Sequence, residues 1–91
     1  MPRTDNLADL VSVGPAVLKD FSRLGIRSVP QLARCNPERL YERLAELDGR
    51  AHDICLLDVF RCAVAQARNP GLPAAQKQWW YYSRIRKRAG R

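Results

Sequence analysis

The hexapeptide Ser12-Val-Gly-Pro-Ala-Val17, with Lys19 just beyond it, is the first stretch of this sequence that offers chemistry. A glycine hairpin that feeds the chain into a helix leaves the first amides of that helix unpaired. Such amides attract phosphate by hydrogen bonding and by the helix dipole. The candidate donors are the N–H groups of Val13, Gly14, Ala16 and Val17, because Pro15 has none. Ser12 opens the hairpin, Gly14 lets a sugar-phosphate backbone approach closely, and Lys19 adds a charge one turn on. Contacts of this kind position a protein on nucleic acid without reading its sequence.

A second constellation lies near the C-terminal end. Trp79-Trp80-Tyr81-Tyr82 stands among Lys77, Arg84, Arg86, Lys87, Arg88 and Arg91. Aromatics beside cations stack on bases or insert at a single-stranded end. The Arg/Lys run clamps phosphates, each contact releasing counterions. At helical spacing Trp79 and Tyr82 face one way, and Trp80 and Tyr81 face elsewhere. One pair is expected to close the core. The other is expected to be half exposed, or covered by a second copy or a protein partner. The end of the tail after Ser83 is expected to be flexible.

Other chemistry is poorly represented. His52 is the sole histidine; it is read in the first turn of a helix beside Asp53, and adjacent helical side chains point apart. A surface or capping role is expected of it. Asp58 and Arg61 at i, i+3 are read as an ion pair on one polar face. Cys35, Cys55 and Cys62 make an odd count with no C-x-x-C, which fits neither a disulfide framework nor a zinc ribbon. Buried small hydrophobes in a reducing cytoplasm is the reading. With no Ser-His-Asp set, phosphate loop or carboxylate cluster, neither catalysis nor a metal or other cofactor is expected.

The elements that must position these groups are all helical. Leu7, Leu10 and Val11 suggest a short first helix capped by Thr4 or Asp5. Pro15 starts a second, with Val17, Leu18, Phe21 and Leu24 as its stripe, Gly25 ending it and Ile26 packing back on its end. Ser28-Val-Pro-Gln31 is a capping box, with Pro30 at the first helical position, for a third helix through about Arg34. Asn36 caps a fourth, whose stripe is Leu40, Tyr41, Leu44 and Leu47 and which ends at Asp48-Gly49. Residues 51–68 are apolar almost all round and form the central helix. Asn69-Pro-Gly-Leu-Pro73 breaks it, and a last helix from about Ala74 carries the aromatics into the basic run. The loop at Gly49, with Arg50, is a weaker candidate for a second phosphate-binding hairpin. No strand pattern occurs, and no apolar run is long enough to span a bilayer.

"LVSVGPAVLKDFSRLGIRSVPQLA" resembles the helix-hairpin-helix motif of DNA repair and recombination proteins. That resemblance implies sequence-independent contact with the DNA backbone. The motif usually reads Gly-apolar-Gly with a basic residue two positions on; here the first glycine is Ser12 and the basic residue is Ala16. "NPERLYERL", "DICLLDVFRCAVAQA" and "KQWWYYS" extend the likeness. Over roughly residues 5–83 the chain is similar to the small bacterial pathogenicity-locus family, also called mitomycin resistance proteins. The C-terminal domain of competence regulators of the TfoX type is similar over the hairpin and fourth helix. The family resemblance implies a bacterial, cytoplasmic protein. It brings no settled activity.

At 91 residues the chain is one small unit with a small core. Its formal net charge is +7, unevenly spread. Residues 1–58 carry eight Lys/Arg against nine Asp/Glu, whereas residues 59–91 carry eight Lys/Arg and no acid. This asymmetry points to a polyanionic partner at one end. The expected architecture is all-α, a compact bundle of five or six short helices containing a helix-hairpin-helix motif (SAM/HhH-like). Residues 1–72 form its body, and residues 73–91 a C-terminal aromatic and basic helix packed on it. The expected function is non-enzymatic DNA binding, with RNA less favoured and no membrane partner. The alternative is a protein-interaction module, self-associating through Trp79–Tyr82, whose hairpin is purely structural.

Overall fold

Caps written into the sequence set most of the helix boundaries. In the computed structural model, which describes residues 6–89, helix α1 spans Pro15–Arg23, α2 Val29–Ala33, α3 Pro37–Asp48, α4 Ile54–Arg68 and α5 Trp79–Arg88. Asn36 accepts from the amides of Glu38 and Arg39 to start α3, and Asp53 accepts from Cys55 to start α4. Ser28 accepts from Gln31, with Pro30 one residue further into the helix than the capping box implies, because Val29 is the first helical residue. The Gln31 side chain reaches back past the cap. It accepts from the Arg27 amide at 2.7 Å and donates to the Gly25 carbonyl at 3.0 Å.

Glycine closes two helices by the same device. At Gly25 (φ +80°) the Ile26 amide bonds Phe21 O at 2.8 Å and the Gly25 amide bonds Ser22 O at 3.1 Å. At Gly49 (φ +66°) Arg50 bonds Ala45 O and Gly49 bonds Glu46 O. Both are Schellman closures, which need a left-handed residue that glycine adopts without a Cβ penalty. Ile26 is buried, as expected of the residue that follows such a glycine.

Four expectations are corrected. The first helix is only a three-residue 3₁₀ turn, Leu7–Asp9, capped by Asn6; Thr4 and Asp5 lie outside the described residues. The last helix does not run on from Ala74. A 3₁₀ turn at Ala74–Lys77 is followed by extended backbone at Gln78, and α5 starts at Trp79. The chain beyond Ser83 is helical to Arg88, because the ion pair made by Arg86 and the backbone ladder hold it. Leu47, on the expected stripe of α3, and Ile54, the first residue of α4, are exposed.

α4 is the hub. It packs against α2, α3 and α5, and Phe60, Ala63, Val64 and Ala67 on it are buried among Phe21, Val29, Leu32 and Leu44. The Phe21 and Phe60 rings lie 5.4 Å apart, tilted by 32°. Arg68 at its end donates to the carbonyls of Ala33 (2.9 Å) and Cys35 (2.8 Å), satisfying acceptors that α2 leaves open.

Candidate nucleic-acid interface

The hairpin is fastened to the bundle by two polar side chains. Gln66, buried on α4, accepts from the Val11 amide at 3.0 Å and donates to the Val11 carbonyl at 2.8 Å. The next residue, Ser12, has φ +70° and is the one described non-glycine residue in the left-handed region. It stands where the motif resembled in the sequence has its first glycine. Its hydroxyl donates to Lys77 O (3.2 Å) and accepts from the Trp79 amide (3.2 Å). The Cys62 thiol also donates to Lys77 O, at 3.0 Å. One hydroxyl therefore ties the hairpin to Lys77 and caps α5 from a distant part of the chain, 67 residues away for Trp79.

Gly14 has extended backbone (φ −97°, ψ −177°), and its C=O accepts from Leu18 at 3.0 Å to open the α1 ladder. A Cβ added at Gly14 would meet nothing within 4 Å, so the fold itself does not require glycine there. No side chain caps α1. Of the four amides read as phosphate donors, Val13 is bonded internally to Leu10 O at 3.4 Å. Gly14, Ala16 and Val17 stand at the uncapped start of the helix. Ala16 and Lys19 are exposed, while the Val17 side chain packs against the core.

The basic run divides in two. Arg86 is drawn inward onto Asp58, whose side chain is completely buried. Three contacts of 2.9–3.1 Å join them, and Ser83 lies 3.4 Å from the same guanidinium. This neutralises the charge of Arg86, which is thus not offered to a ligand. It also replaces the expected Asp58–Arg61 pair, because α5 covers the Asp58 side of α4; Arg61 instead meets Glu38 at 2.7 Å. Arg84, Lys87 and Arg88 are exposed, Arg84 with its guanidinium 4.6 Å from the centre of the Trp80 ring. Arg91 lies outside the described residues. The aromatic pairing by helical face also fails. Both tryptophans are exposed and both tyrosines half-buried, the Tyr82 hydroxyl donating to Gln76 O at 2.9 Å. The turn at Ala74–Lys77 packs on α4 and α5 and takes the Tyr82 hydroxyl, and the Tyr81 and Tyr82 rings meet edge to face.

The Gly49 loop is occupied by its own bonds. Asp48 pairs with Arg23 and lies 2.7 Å from His52 Nε2. The Arg23 bond, more than that from His52, lowers the Asp48 carboxyl to about 2. His52 lies ahead of α4, not in its first turn, and Asp53 turns away from it to cap α4. The thiols have raised pKa values, Cys35 and Cys62 through burial and Cys55 chiefly through its hydrogen bond to the Asp53 carboxylate. Among the described residues no three His, Cys, Asp or Glu side chains are placed to hold a metal ion.

Sequence reasoning missed Gln66 as a hairpin anchor and Lys77–Trp79 as the hairpin's neighbour. A glutamine on an otherwise apolar helix was a usable signal for the first. The second depends on tertiary folding.

Residues 2–88 match the model of a family described as Pathogenicity locus. The chain is 45% identical over 83 residues to "Mitomycin resistance protein McrB" of Streptomyces lavendulae, an alignment covering 91% of this chain and 75% of that protein. No solved structure matches the chain. No helix among the described residues is long and apolar enough to cross a membrane.

Proposed function

This chain belongs to the Pathogenicity locus family, and from that premise we propose that it is a non-enzymatic, sequence-independent DNA-binding protein. Its hairpin, acting as a helix-hairpin-helix motif does, meets a backbone phosphate. The observation that carries the reading is the start of α1. It is uncapped, open at Gly14, and tied through Ser12 to Lys77 and the first turn of α5. The amides of Gly14, Ala16 and Val17 at this uncapped start favour an anion. Lys19 adds charge on α1, and Arg84, Lys87 and Arg88 add charge in a stretch where no acid follows Asp58. A bacterial cytoplasmic setting fits the free thiols. The relative's name, which concerns resistance to mitomycin, neither supplies nor opposes an activity.

The competing reading, self-association through α5, is weakened by the same cations, which would face one another across a symmetric contact.

Gly14→Asp tests the proposal cleanly. Aspartate is a good N-cap at this backbone geometry, so the variant folds with its stability unchanged or raised by a few tenths of a kcal/mol. Its carboxylate meanwhile occupies the amides and repels phosphate. Fluorescence anisotropy with a short labelled duplex, a single strand and a forked junction across a salt series reads the result. The expectation is micromolar or tighter binding by the wild type, a steep salt slope, and a loss of about tenfold in Gly14→Asp and several-fold in Lys19→Glu. No binding at low salt would sink the reading.

A further inference from the structure

We infer that the exposed side of α5 takes the unpaired nucleotides of single-stranded DNA, with bases stacking on Trp79 and Trp80 and phosphates held by Arg84, Lys87 and Arg88. The inference rests on the DNA-binding reading and names the form of DNA that the interface prefers.

Trp79 and Trp80 are 37% and 41% exposed, an unusual position for the two largest side chains of a small bundle whose tyrosines are drawn inward. Trp80 is held in place by the Arg84 guanidinium 4.6 Å from its ring centre, so an incoming base meets a ring that is already oriented. Trp79 is fixed from its backbone, because its amide donates to Ser12 in the hairpin. The Trp79 backbone thereby lies against the hairpin that opens α1.

The chemistry of this face selects the partner. Every residue of α5 after Ser83 except Ile85 is cationic as far as Arg88, and the two acids near the helix, buried Asp58 and exposed Asp53, both act on Arg86, which pairs with Asp58. An acidic polymer is favoured, and a second copy of the chain is repelled. A duplex presents phosphates but keeps its bases stacked on one another. Only a single strand offers π-faces to tryptophans at the protein surface, and such stacking tolerates any base.

Trp79 and Trp80 are the only tryptophans in the chain, so intrinsic fluorescence reports on this face alone. The experiment titrates the full chain with a twelve-residue oligothymidylate, with a duplex of the same length, and with vesicles of phosphatidylcholine and phosphatidylserine. The expected result is quenching by the oligothymidylate. Trp80→Ala, which removes an exposed ring and keeps the wild-type circular dichroism, then weakens oligothymidylate binding by about tenfold. Duplex binding changes by less than about twofold, and Trp80→Phe restores most of the loss. Equal effects of Trp80→Ala on both DNA forms, or none on either, would overturn the inference. The hairpin proposal, tested by Gly14→Asp on the duplex, would then still stand. A spectral shift with vesicles and none with oligothymidylate would also overturn it, in favour of a lipid surface. Absence of binding to any DNA would remove both readings together.

Discussion

At the scale of the residue, two side chains carry more than their neighbours. Asp58 is fully buried and has Arg86 as its counter-ion. Removing one member of such a pair strands a charge in a medium that solvates it poorly, whereas removing both does not. Arg86→Met should therefore destabilise the protein by about 3–5 kcal/mol. Asp58→Leu combined with Arg86→Met should recover most of that, as read by urea denaturation. Ser12 is the second case. Its left-handed backbone costs a non-glycine residue about 1–2 kcal/mol, which its two hydroxyl bonds to Lys77 and Trp79 offset. Ser12→Ala keeps the cost and loses the bonds; Ser12→Gly loses both. Alanine should be the more destabilising by about 1–2 kcal/mol in the same assay, an order opposite to that in a helix interior.

At the scale of the element, the Asp48 carboxylate at the end of α3 binds Arg23 at the end of α1 and His52 ahead of α4. Its pKa is lowered from an ordinary 3.8 to about 2. The stabilisation is therefore complete above pH 3.8 and is lost as pH falls towards 2. Thermal melts should show Asp48→Asn below the wild type at pH 7, with the two curves converging between pH 4 and 2. The same elements show what sequence can and cannot disclose. Asn36, Ser28, Gly25 and Gly49 act within a few residues of their own positions, so their spacing revealed four helix ends. The α1 stripe was legible for the same reason, since Phe21 is its most buried member. The partners of Asp58 and Arg61 were misread because local spacing offered one to the other, while folding brought Arg86 and Glu38 closer. In the candidate site the hairpin residues were legible as a motif. Their attachment to Gln66, Lys77 and Trp79 depends on contacts 55 to 67 residues apart, which periodicity does not report.

At the scale of the whole molecule, charge and architecture run together. Acids and bases nearly balance through residue 58, and the excess of positive charge is carried by the chain beyond it. If the exposed end of α5 supplies phosphate contacts, Lys87→Ala with Arg88→Ala should flatten the plot of log K against log salt for a duplex by about 1.8, without a change in thermal stability. A slope that does not move would put the contacts elsewhere. The position of α4 has a consequence of another kind. Nearly every other helix is packed through it, yet it lies more than halfway along the chain. On the ribosome, the segment carrying Phe21, Leu32 and Leu44 leaves the exit tunnel before Phe60 does, so the helix that covers it is still enclosed. The nascent chain thus passes through an interval with its apolar stripes bare, and slow decoding of the segment after α4 would lengthen the time during which chaperones or neighbouring chains can engage it.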